Sequence, residues 1–241
     1  MAEQGISLVG KTALITGGSK GIGKSIALTF ANQGADIVIA SRSMTLLEEV
    51  TQKIYSAGGK CLPVEADVIR LVEASRSAFG KVDILVNNAG VSKELPFMEL
   101  SLSDWDQMLS INLMGVLYCI RAVLPKMRSR REGTIINIAS AAGLRGLPGS
   151  SAYSASKAAV IALTQSLGDE VGPDGIRVNV ICPGPIKTEM LDQSAVKNFL
   201  IQNPNDLLKP DAVAGAALFL ASSLSGGMNS QVLVVRTKSR W

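Results

Sequence analysis

Tyr153 and Lys157 are four residues apart in the segment YSASK, a spacing that places both side chains on one face of a helix. A tyrosine has an unperturbed pKa of about 10, so at neutral pH it carries a proton that it can donate. A nearby ammonium group stabilises the phenolate and is expected to lower the pKa of the tyrosine. Such a pair can protonate a carbonyl oxygen while the carbonyl carbon accepts hydride. The structural alternative is a packed tyrosine beside a lysine that extends to solvent.

Two further polar residues favour the chemical interpretation. Ser140 follows the apolar run 134–138, at the predicted carboxyl end of a strand. Asn112 lies in an apolar stretch of a predicted helix, where an amide group is costly unless it is hydrogen-bonded. An alkoxide that forms from a carbonyl needs hydrogen-bond donors as well as a proton. The four residues together therefore predict a proton-delivery site.

A glycine-rich turn, TGGSKGIGKS, follows the first predicted strand. Gly17, Gly21 and Gly23 allow the backbone to approach a pyrophosphate, which would lie at the N-terminus of the following helix. Residues 18–25 also match the P-loop pattern GxxxxGK[ST] of nucleotide triphosphatases. A P-loop enzyme needs an acidic residue at a strand end to hold Mg²⁺, and the predicted strand ends fit this requirement poorly. We therefore expect a dinucleotide at this turn and keep a triphosphatase as the alternative.

The end of the second predicted strand indicates which dinucleotide is bound. A carboxylate at this point would bind the ribose hydroxyls of NAD(H), but the chain has Ser41 and Arg42 instead, and Lys20 lies in the glycine turn. An arginine can bind a ribose 2′-phosphate with two parallel hydrogen bonds. Either cation alone could simply be solvated, but the two together predict NADP(H).

Short β-branched runs alternate with longer helical stretches along the whole chain. Strands this uniformly apolar are typical of a parallel sheet that is covered on both faces. We predict an α/β fold, a single-domain Rossmann-type doubly wound parallel sheet of about seven strands with helices on both faces, over residues 1–241. The segment 68–79 is expected to form only a stub of a helix. Strands are predicted at 12–16, 36–40, 60–65, 84–87, 134–138, 177–181 and 232–235, and helices at 22–33, 45–57, 103–127 (with Ser103 and Asp106 as a capping box), 152–171 and 211–221.

Composition excludes several kinds of site. The chain has no histidine among its 241 residues, which removes histidine triads and histidine metal ligands, and we expect no metal site. Cys61, Cys119 and Cys182 stand in apolar contexts and are expected to be reduced, buried thiols of a cytoplasmic protein. The net charge of +4 is mild, so we expect no nucleic-acid partner. We also expect no signal peptide and no apolar run near membrane-spanning length.

The motifs, taken in order, resemble those of the short-chain dehydrogenase/reductase family, and in particular its 3-oxoacyl-thioester reductases. The resemblance covers nearly the whole chain. It is carried by Thr16-Gly-x-x-x-Gly-x-Gly23, Asp67-Val68, Asn87-Asn-Ala-Gly90, Asn112, Ser140, Tyr153-x-x-x-Lys157 and Pro183-Gly184 with Thr188.

The resemblance implies a role for each of these residues. Ser140 would orient the substrate oxygen, Lys157 would also bond the nicotinamide ribose, and Asn112 would hold a water that relays protons. Asp67 and Val68 would contact the adenine. Further cofactor contacts implied by the turn and by the resemblance are Gly17, Ser19, Lys20, Gly21, Ile22, Gly23, Ser41, Arg42, Asn87, Asn88, Ala89, Gly90, Pro183, Gly184, Ile186 and Thr188, the last two toward the carboxamide end.

The substrate is less closely defined by the sequence. A lid is predicted near residues 188–208, and the expected apolar walls favour an acyl chain over a sugar, unless they only pack the lid. They are Leu144, Leu147, Met190, Leu191, Phe199 and Leu200. A 3-oxoacyl thioester is the best single candidate, ahead of small ketones and polyols, and a non-catalytic NADP(H)-binding regulator is a further alternative.

Possible partners include an acyl-carrier protein and further copies of the chain. The basic run Lys126, Arg128, Arg130 and Arg131 complements the C-terminus of the predicted long helix. In the alternative interpretation it docks an acidic acyl-carrier protein, an interpretation that the acidic neighbourhood of residue 174 weakens. The family resemblance implies a homo-oligomer, a tetramer or dimer, although the tail 236–241 departs from the family pattern.

Overall fold

Seven parallel strands form the centre of the computed structural model, which describes residues 6–65, 68–195 and 207–237. The strands lie side by side in the order β3-β2-β1-β4-β5-β6-β7. This order confirms the predicted doubly wound sheet, because the chain leaves β3 at one edge, crosses to β4 beside β1, and then builds the other half. The strands are β1 (Thr12–Thr16), β2 (Asp36–Ser41), β3 (Cys61–Glu65), β4 (Ile84–Asn87), β5 (Gly133–Ile138), β6 (Ile176–Pro183) and β7 (Val232–Val235).

Helices connect the strands and cover both faces of the sheet. Those in the described residues are α1 (Gly21–Asn32), α2 (Met44–Ser56), α3 (Val68–Phe79), α4 (Leu102–Leu109), α5 (Gly115–Arg130), α6 (Ser151–Val171), α7 (Glu189–Asp192) and α8 (Pro210–Ala221). The segment 68–79 forms a helix of twelve residues, so the predicted stub is wrong. The spacing of the family motifs underestimates this helix, whose extent follows the helical pattern of the segment itself.

The core consists of two apolar layers on opposite faces of the sheet. Successive strand residues point to opposite faces, so that Ile15 of β1 is buried in one layer and its neighbour Leu14 in the other. The α1 layer contains Phe30 of α1 together with residues of α2 and α8. The α5 layer contains Val123 of α5 and Val160 of α6. Burial on both faces explains why the strands are apolar throughout.

The long helix predicted over 103–127 begins earlier and is divided. Its capping box is formed by Ser101 and Asp104: the Ser101 hydroxyl accepts the Asp104 N–H, and the Asp104 carboxylate accepts the Ser101 N–H, each at 3.2 Å. The predicted pair Ser103 and Asp106 has the same spacing, but Ser103 already lies inside α4 and cannot cap it. A π turn, Ser110–Met114, joins α4 to α5.

By length and composition, the helical run Leu102–Arg130 is apolar enough to cross a membrane. This finding corrects the expectation that no stretch comes near that criterion. A core helix of a soluble protein passes the same test, and Val116, Ile120 and Val123 of this run are indeed buried against the sheet. Only 33% of its most apolar 18-residue stretch is buried, so part of this helical run has apolar side chains that face outward.

Candidate active site

A cleft of about 540 Å³ lies along the carboxyl edge of the sheet. Its walls include residues that directly follow strands: Gly17 after β1, Arg42 after β2, Asn88 after β4 and Ser140 close to the end of β5. Parallel α/β sheets bind their ligands at this edge, where the strand order reverses. The volume falls within the range of small-molecule and cofactor sites.

The glycine turn after β1 forms one end of the cleft. Gly17 has a φ of +67°, and its N–H donates to the Ala40 carbonyl at 2.8 Å. A Cβ atom on Gly23 would lie 2.2 Å from the Gly17 carbonyl oxygen, so only glycine permits α1 to start so close to the turn. Gly21, with a φ of +51°, is the first residue of α1. The N-terminus of α1 therefore lies beside the cleft, where an anion is stabilised.

Thr16 and Asn88 connect this turn to the end of β4. The Asn88 side-chain amide donates to the carbonyls of Thr16 at 3.0 Å and Gly17 at 3.2 Å. In return the Thr16 hydroxyl accepts the N–H groups of Asn88 and Ala89 at 3.0 and 3.1 Å. These hydrogen bonds give Thr16, the first residue of the motif, a structural role: it joins the glycine turn to the end of β4.

The two predicted phosphate-binding cations both line the cleft. Lys20 Nζ pairs with Glu189 Oε2 at 2.7 Å, across the groove between the glycine turn and α7, and both side chains are about half exposed. Ser41 does not line the cleft: its hydroxyl accepts the Ser43 N–H at 3.2 Å and so shapes the turn that carries Arg42. Glu189 was not identified from the sequence, because its contact joins segments 169 residues apart.

Ser140, Tyr153 and Lys157 meet in the middle of the cleft. The Ser140 hydroxyl is oriented by the Ala142 N–H, which it accepts at 3.1 Å, and it is hydrogen-bonded to Tyr153. Lys157 Nζ donates to the Ile138 carbonyl at 3.0 Å and lies 5.8 Å from the centroid of the Tyr153 ring. The lysine is buried, with only 4% of its surface exposed, so it does not extend to solvent.

Burial dominates the protonation of this pair. It raises the pKa of Tyr153, the negative charge of Glu94 acts in the same direction, and the hydrogen bond with Ser140 opposes these effects. Burial also lowers the pKa of Lys157 to about 8. The sequence leads us to expect that Lys157, together with the positive ring of the cofactor, lowers this pKa; among the protein's own groups, desolvation of the phenolate dominates and the pKa is raised.

Asn112 lies in the π turn and is fully buried behind the wall of the cleft. Its amide nitrogen donates to the Val91 carbonyl at 2.9 Å and to the Ser156 hydroxyl at 3.0 Å, and its carbonyl accepts the Val91 N–H at 2.8 Å. A Cβ atom on Gly90 would lie 3.2 Å from Asn112 Oδ1 and 3.4 Å from Lys157 Nζ. The missing side chain of Gly90 thus leaves space next to the lysine.

The structure places most, but not all, of the predicted cofactor residues in the cleft. Ser19 and Gly23 do not line it, and neither does Asn87, whose amide donates to Asn137 Oδ1 inside the sheet at 2.8 Å. Asp67 and the side chain of Val68 lie outside the described residues. Those that line the cleft are Gly17, Lys20, Gly21, Ile22, Arg42, Asn88, Ala89, Gly90, Tyr153, Lys157, Pro183, Gly184, Ile186 and Thr188.

Only some of the residues expected to form the substrate walls line the cleft. Leu147, Met190 and Leu191 line the cleft, whereas Leu144 does not and is 49% exposed. Phe199 and Leu200, and with them most of the predicted lid, lie outside the described residues. The cleft also has polar walls that sequence patterns did not indicate: Ser92, Glu94, Ser150, Gln193 and Ser194.

Comparison with known proteins agrees with this geometry. Residues 11–198 match the family model of the short chain dehydrogenases. The chain belongs to this family. It is 36% identical over 224 residues to a 3-oxoacyl-[acyl-carrier-protein] reductase of Synechocystis sp., covering 90% of this chain and 91% of that protein. It is 39% identical over 235 residues to the (2S)-[(R)-hydroxy(phenyl)methyl]succinyl-CoA dehydrogenase subunit BbsD of Thauera aromatica, covering 93% and 94%.

Solved structures of the short-chain dehydrogenase family show the same architecture. A short-chain type dehydrogenase/reductase from Mycobacterium marinum superposes with a TM-score of 0.89 at 33% identity, covering 95% of each chain. The protein is therefore a short-chain dehydrogenase/reductase with the Rossmann-like fold, an oxidoreductase of a family that binds a nicotinamide cofactor. The glycine turn, the N-terminus of α1 and the space beside Gly90 fit such a dinucleotide.

Membership of this family replaces the triphosphatase interpretation. In addition, the hydroxyl of Ser25, the last residue of the P-loop pattern, donates to Asp211 of α8 at 2.7 Å and does not face the cleft. No group of three His, Cys, Asp or Glu side chains among the described residues is placed to hold a metal ion.

The basic run at the end of α5 is used largely within the chain. Arg128 pairs with Asp174 at 2.7 Å, and Arg131 donates to the Pro173 carbonyl at 2.7 Å. Arg130 donates to the Val82 carbonyl at 2.8 Å. These contacts weaken the docking interpretation, because they hold three of the cations against parts of the chain outside α5.

Proposed function

We propose that the protein is an NADP(H)-dependent reductase of 3-oxoacyl thioesters, with Tyr153 as the acid–base residue. The convergence of Ser140, Tyr153 and buried Lys157 on one cleft, beside a glycine turn, is the observation that carries the proposal. Reduction adds hydride to the carbonyl carbon and a proton to its oxygen. The resulting alkoxide charge must be met by donors that are already in place.

Tyr153 donates that proton. The raised pKa keeps its hydroxyl protonated at neutral pH, ready for the reductive direction. Ser140, held by the Ala142 N–H, hydrogen-bonds the substrate oxygen next to the tyrosine. Lys157 is positioned by the Ile138 carbonyl, and its positive charge stabilises the phenolate that forms. Asn112 holds the backbone of Val91 and, through Gly90, bounds the space beside the lysine; we expect its water-relay role to be exerted from there.

The cofactor half of the cleft is proposed to hold NADP(H), which supplies the hydride when bound. The turn at Gly17 and the N-terminus of α1 would hold the pyrophosphate. Arg42 and Lys20 would bind the 2′-phosphate, Asp67 and Val68 the adenine, and Ile186 and Thr188 the carboxamide end. The position of both cations on the wall of the cleft supports a preference for NADP(H) over NAD(H).

The similarity to the 3-oxoacyl-[acyl-carrier-protein] reductase of Synechocystis supports a thioester substrate, and so does the apolar wall formed by Leu147, Met190 and Leu191. We further infer that the chain forms a single functional domain, that the enzyme assembles as a homo-oligomer, and that it acts in the cytoplasm, where buried free thiols remain reduced. An acyl-carrier protein is the candidate macromolecular partner.

Two measurements test the proposal. Fluorescence titration should give tighter binding of NADPH than of NADH, because only NADPH carries a ribose 2′-phosphate that Arg42 and Lys20 can bind. A carbonyl panel should give the highest kcat/KM for acetoacetyl thioesters, ahead of small ketones and polyols. Tighter binding of NADH would contradict the cofactor assignment. Equal rates for simple ketones would contradict the substrate assignment.

The Tyr153→Phe variant tests the chemistry itself. It should bind NADPH like the wild type but lose turnover by about 10²-fold or more, the usual contribution of a positioned acid–base residue. Tyr118→Phe, on the exposed face of α5, is the matched control and should keep full activity. Turnover by Tyr153→Phe at the wild-type rate would disprove the role of this residue.

A further inference from the structure

The cleft carries its ionisable side chains in two groups. Lys20, Arg42 and Glu189 lie at the cofactor end, where Lys20 and Glu189 neutralise each other. Lys157 and Glu94 lie around the reacting centre. Glu94 comes from the loop after β4, and within the described residues no cation forms an ion pair with it. The part of the cleft left for the substrate therefore contains a carboxylate that no salt bridge among the described residues neutralises.

Two hydrogen bonds fix the position of this carboxylate. Glu94 Oε1 accepts the Ser92 hydroxyl at 2.5 Å, and Oε2 accepts the Ala195 N–H at 3.2 Å. The next backbone N–H, that of Leu95, donates to the Gly149 carbonyl at 2.9 Å, which anchors the loop to the segment before α6. Both donors to Glu94 are neutral, so they orient the charge without cancelling it.

The charge acts on the reacting centre. The pKa of Tyr153 is raised first by burial and also by the negative charge of Glu94, which means that the field of this carboxylate reaches the tyrosine hydroxyl. A substrate whose carbonyl oxygen lies next to Tyr153 and Ser140 experiences the same field. A carboxylate elsewhere on that substrate would be repelled by Glu94, since like charges at several ångströms interact strongly in a partly desolvated cleft.

We propose that Glu94 is a specificity-determining residue: it favours 3-oxoacyl compounds that are uncharged around the reacting carbonyl and disfavours those that carry an additional carboxylate. This inference rests on the proposed function, carbonyl reduction at Tyr153. It narrows the substrate class to neutral acyl chains. It assigns the discrimination to charge and not to the size of the cleft.

Two nearly isosteric probes separate charge from size. One is the 1-ethyl ester of 3-oxoadipate, which has a free carboxylate at C6, and the other is the corresponding 6-methyl 1-ethyl diester. The wild type should prefer the diester, and Glu94→Gln should reduce the diester-to-monoester ratio of kcat/KM by about tenfold, the effect of a unit charge at a partly exposed site. Glu94→Asp, which keeps the charge, should retain most of the preference. The preference of the wild type should also weaken as salt is added.

Glu99→Gln is the matched control, because Glu99 is an exposed carboxylate five residues further along that does not line the cleft. It should leave the ratio unchanged. An unchanged ratio in Glu94→Gln would overturn the inference, even where the diester is reduced well. If neither probe nor an acetoacetyl thioester is reduced, the proposed function fails, and the inference is then decided by calorimetric binding of both esters to the protein saturated with NADP⁺. If the ratio of the dissociation constants of the two esters is the same in wild type and in Glu94→Gln, the inference is again overturned.

Discussion

At the scale of single residues, the site depends on a lysine that is kept out of water. The Lys157 ammonium is buried, and within the described residues it donates a hydrogen bond to the Ile138 carbonyl at 3.0 Å, which does not compensate fully for lost hydration. Its pKa falls from 10.5 to about 8 for this reason. The residue that supports Tyr153 therefore destabilises the fold that holds it.

Lys157→Met should consequently give a more stable but inactive protein. The pKa shift corresponds to about 3 kcal/mol at pH 7, and the unpaired Ile138 carbonyl reduces the gain to about 2 kcal/mol. Because the pKa is lower in the folded chain, the unfolded chain binds more protons between pH 8 and 10.5, and this lysine makes the wild type more stable as the pH rises through that window.

Urea unfolding of both proteins without cofactor measures this effect. The stability gap between Lys157→Met and wild type should be constant below about pH 7 and should narrow by about 1.4 kcal/mol per pH unit above 8. The raised pKa values of Cys61 and Cys119 affect both proteins equally and cancel in the difference, whereas Cys182 interacts with Lys157, so both proteins are compared in a Cys182→Ala background. A gap that does not depend on pH would contradict the assignment of the shift to this lysine.

A second residue-scale prediction concerns the ion pair of Lys20 and Glu189. On binding, a 2′-phosphate would have to compete with Glu189 for Lys20. Glu189→Gln should therefore bind NADPH about twofold to fivefold more tightly, as expected for the loss of a competing surface ion pair, and should bind NADH as before. Glu170→Gln, at the far end of α6, is the control in the same titration. Equal gains for both cofactors would show that Lys20 does not contact the phosphate.

At the scale of elements, α4, the π turn and α5 place Asn112 between the loop after β4 and α6. All three polar contacts of its amide group bridge these elements. A π turn widens a helix by one residue and is frequent at functional sites. Here it brings a polar residue of an otherwise apolar helix to the backbone of Val91.

Asn112→Ala should lower the free energy of unfolding by about 2 kcal/mol, because it leaves the partly buried N–H and carbonyl of Val91 without these partners. The loop that carries Gly90 should loosen as well, and kcat should fall. Gln107→Ala, an exposed amide one turn earlier in α4, should change stability by less than about 0.5 kcal/mol. Similar urea midpoints for the two variants would refute the bridging role.

Sequence patterns predicted the elements better than their ends and junctions. The strand at 84–87 and the helix near 152–171 were found nearly at their observed bounds, since buried apolar runs between glycines and prolines are strong local signals. The cap at Ser101 and the π turn were missed, because neighbouring serines offer equivalent spacings and π turns have no distinct periodicity.

The residues of the site divide in the same way. Tyr153, Lys157 and the glycine turn have short-range spacing that a sequence displays. Glu94 and Glu189 do not, because Glu94 meets residue 195 and Glu189 meets residue 20, each pair brought together only by the complete sheet. The raised pKa of Tyr153 could not be predicted from the sequence either, because it follows from the burial of the hydroxyl in the folded chain.

At the scale of the whole molecule, the two most exposed large apolar side chains among the described residues lie at or just before the start of α4. Met98 and Leu102 are 89% and 83% exposed, and Phe97 stacks edge-on against Trp105 next to them. Exposed apolar patches of this kind mark contact surfaces. Light scattering should accordingly give a mass that is a multiple of 25.3 kDa.

Leu102→Lys should shift this mass toward that of one chain, because a charge in an apolar contact is left without a partner. Val9→Lys is the control: Val9 is also exposed, at 75%, but it lies before β1 and away from α4. A monomeric wild type, or an unchanged mass of Leu102→Lys, would exclude α4 as the contact surface.

The three cysteines are distributed between the two apolar layers, Cys61 in the α1 layer and Cys119 and Cys182 in the α5 layer. Burial raises the pKa of these thiols to about 11, 12 and 11, respectively, so the folded protein should hardly react with an alkylating reagent at neutral pH. Alkylation must then wait for an opening of the surrounding layer. The alkylation rate at each cysteine can be measured by mass spectrometry. Different rates for Cys61 and for Cys119 and Cys182 would show that the two layers open independently, and equal rates would show that they open together.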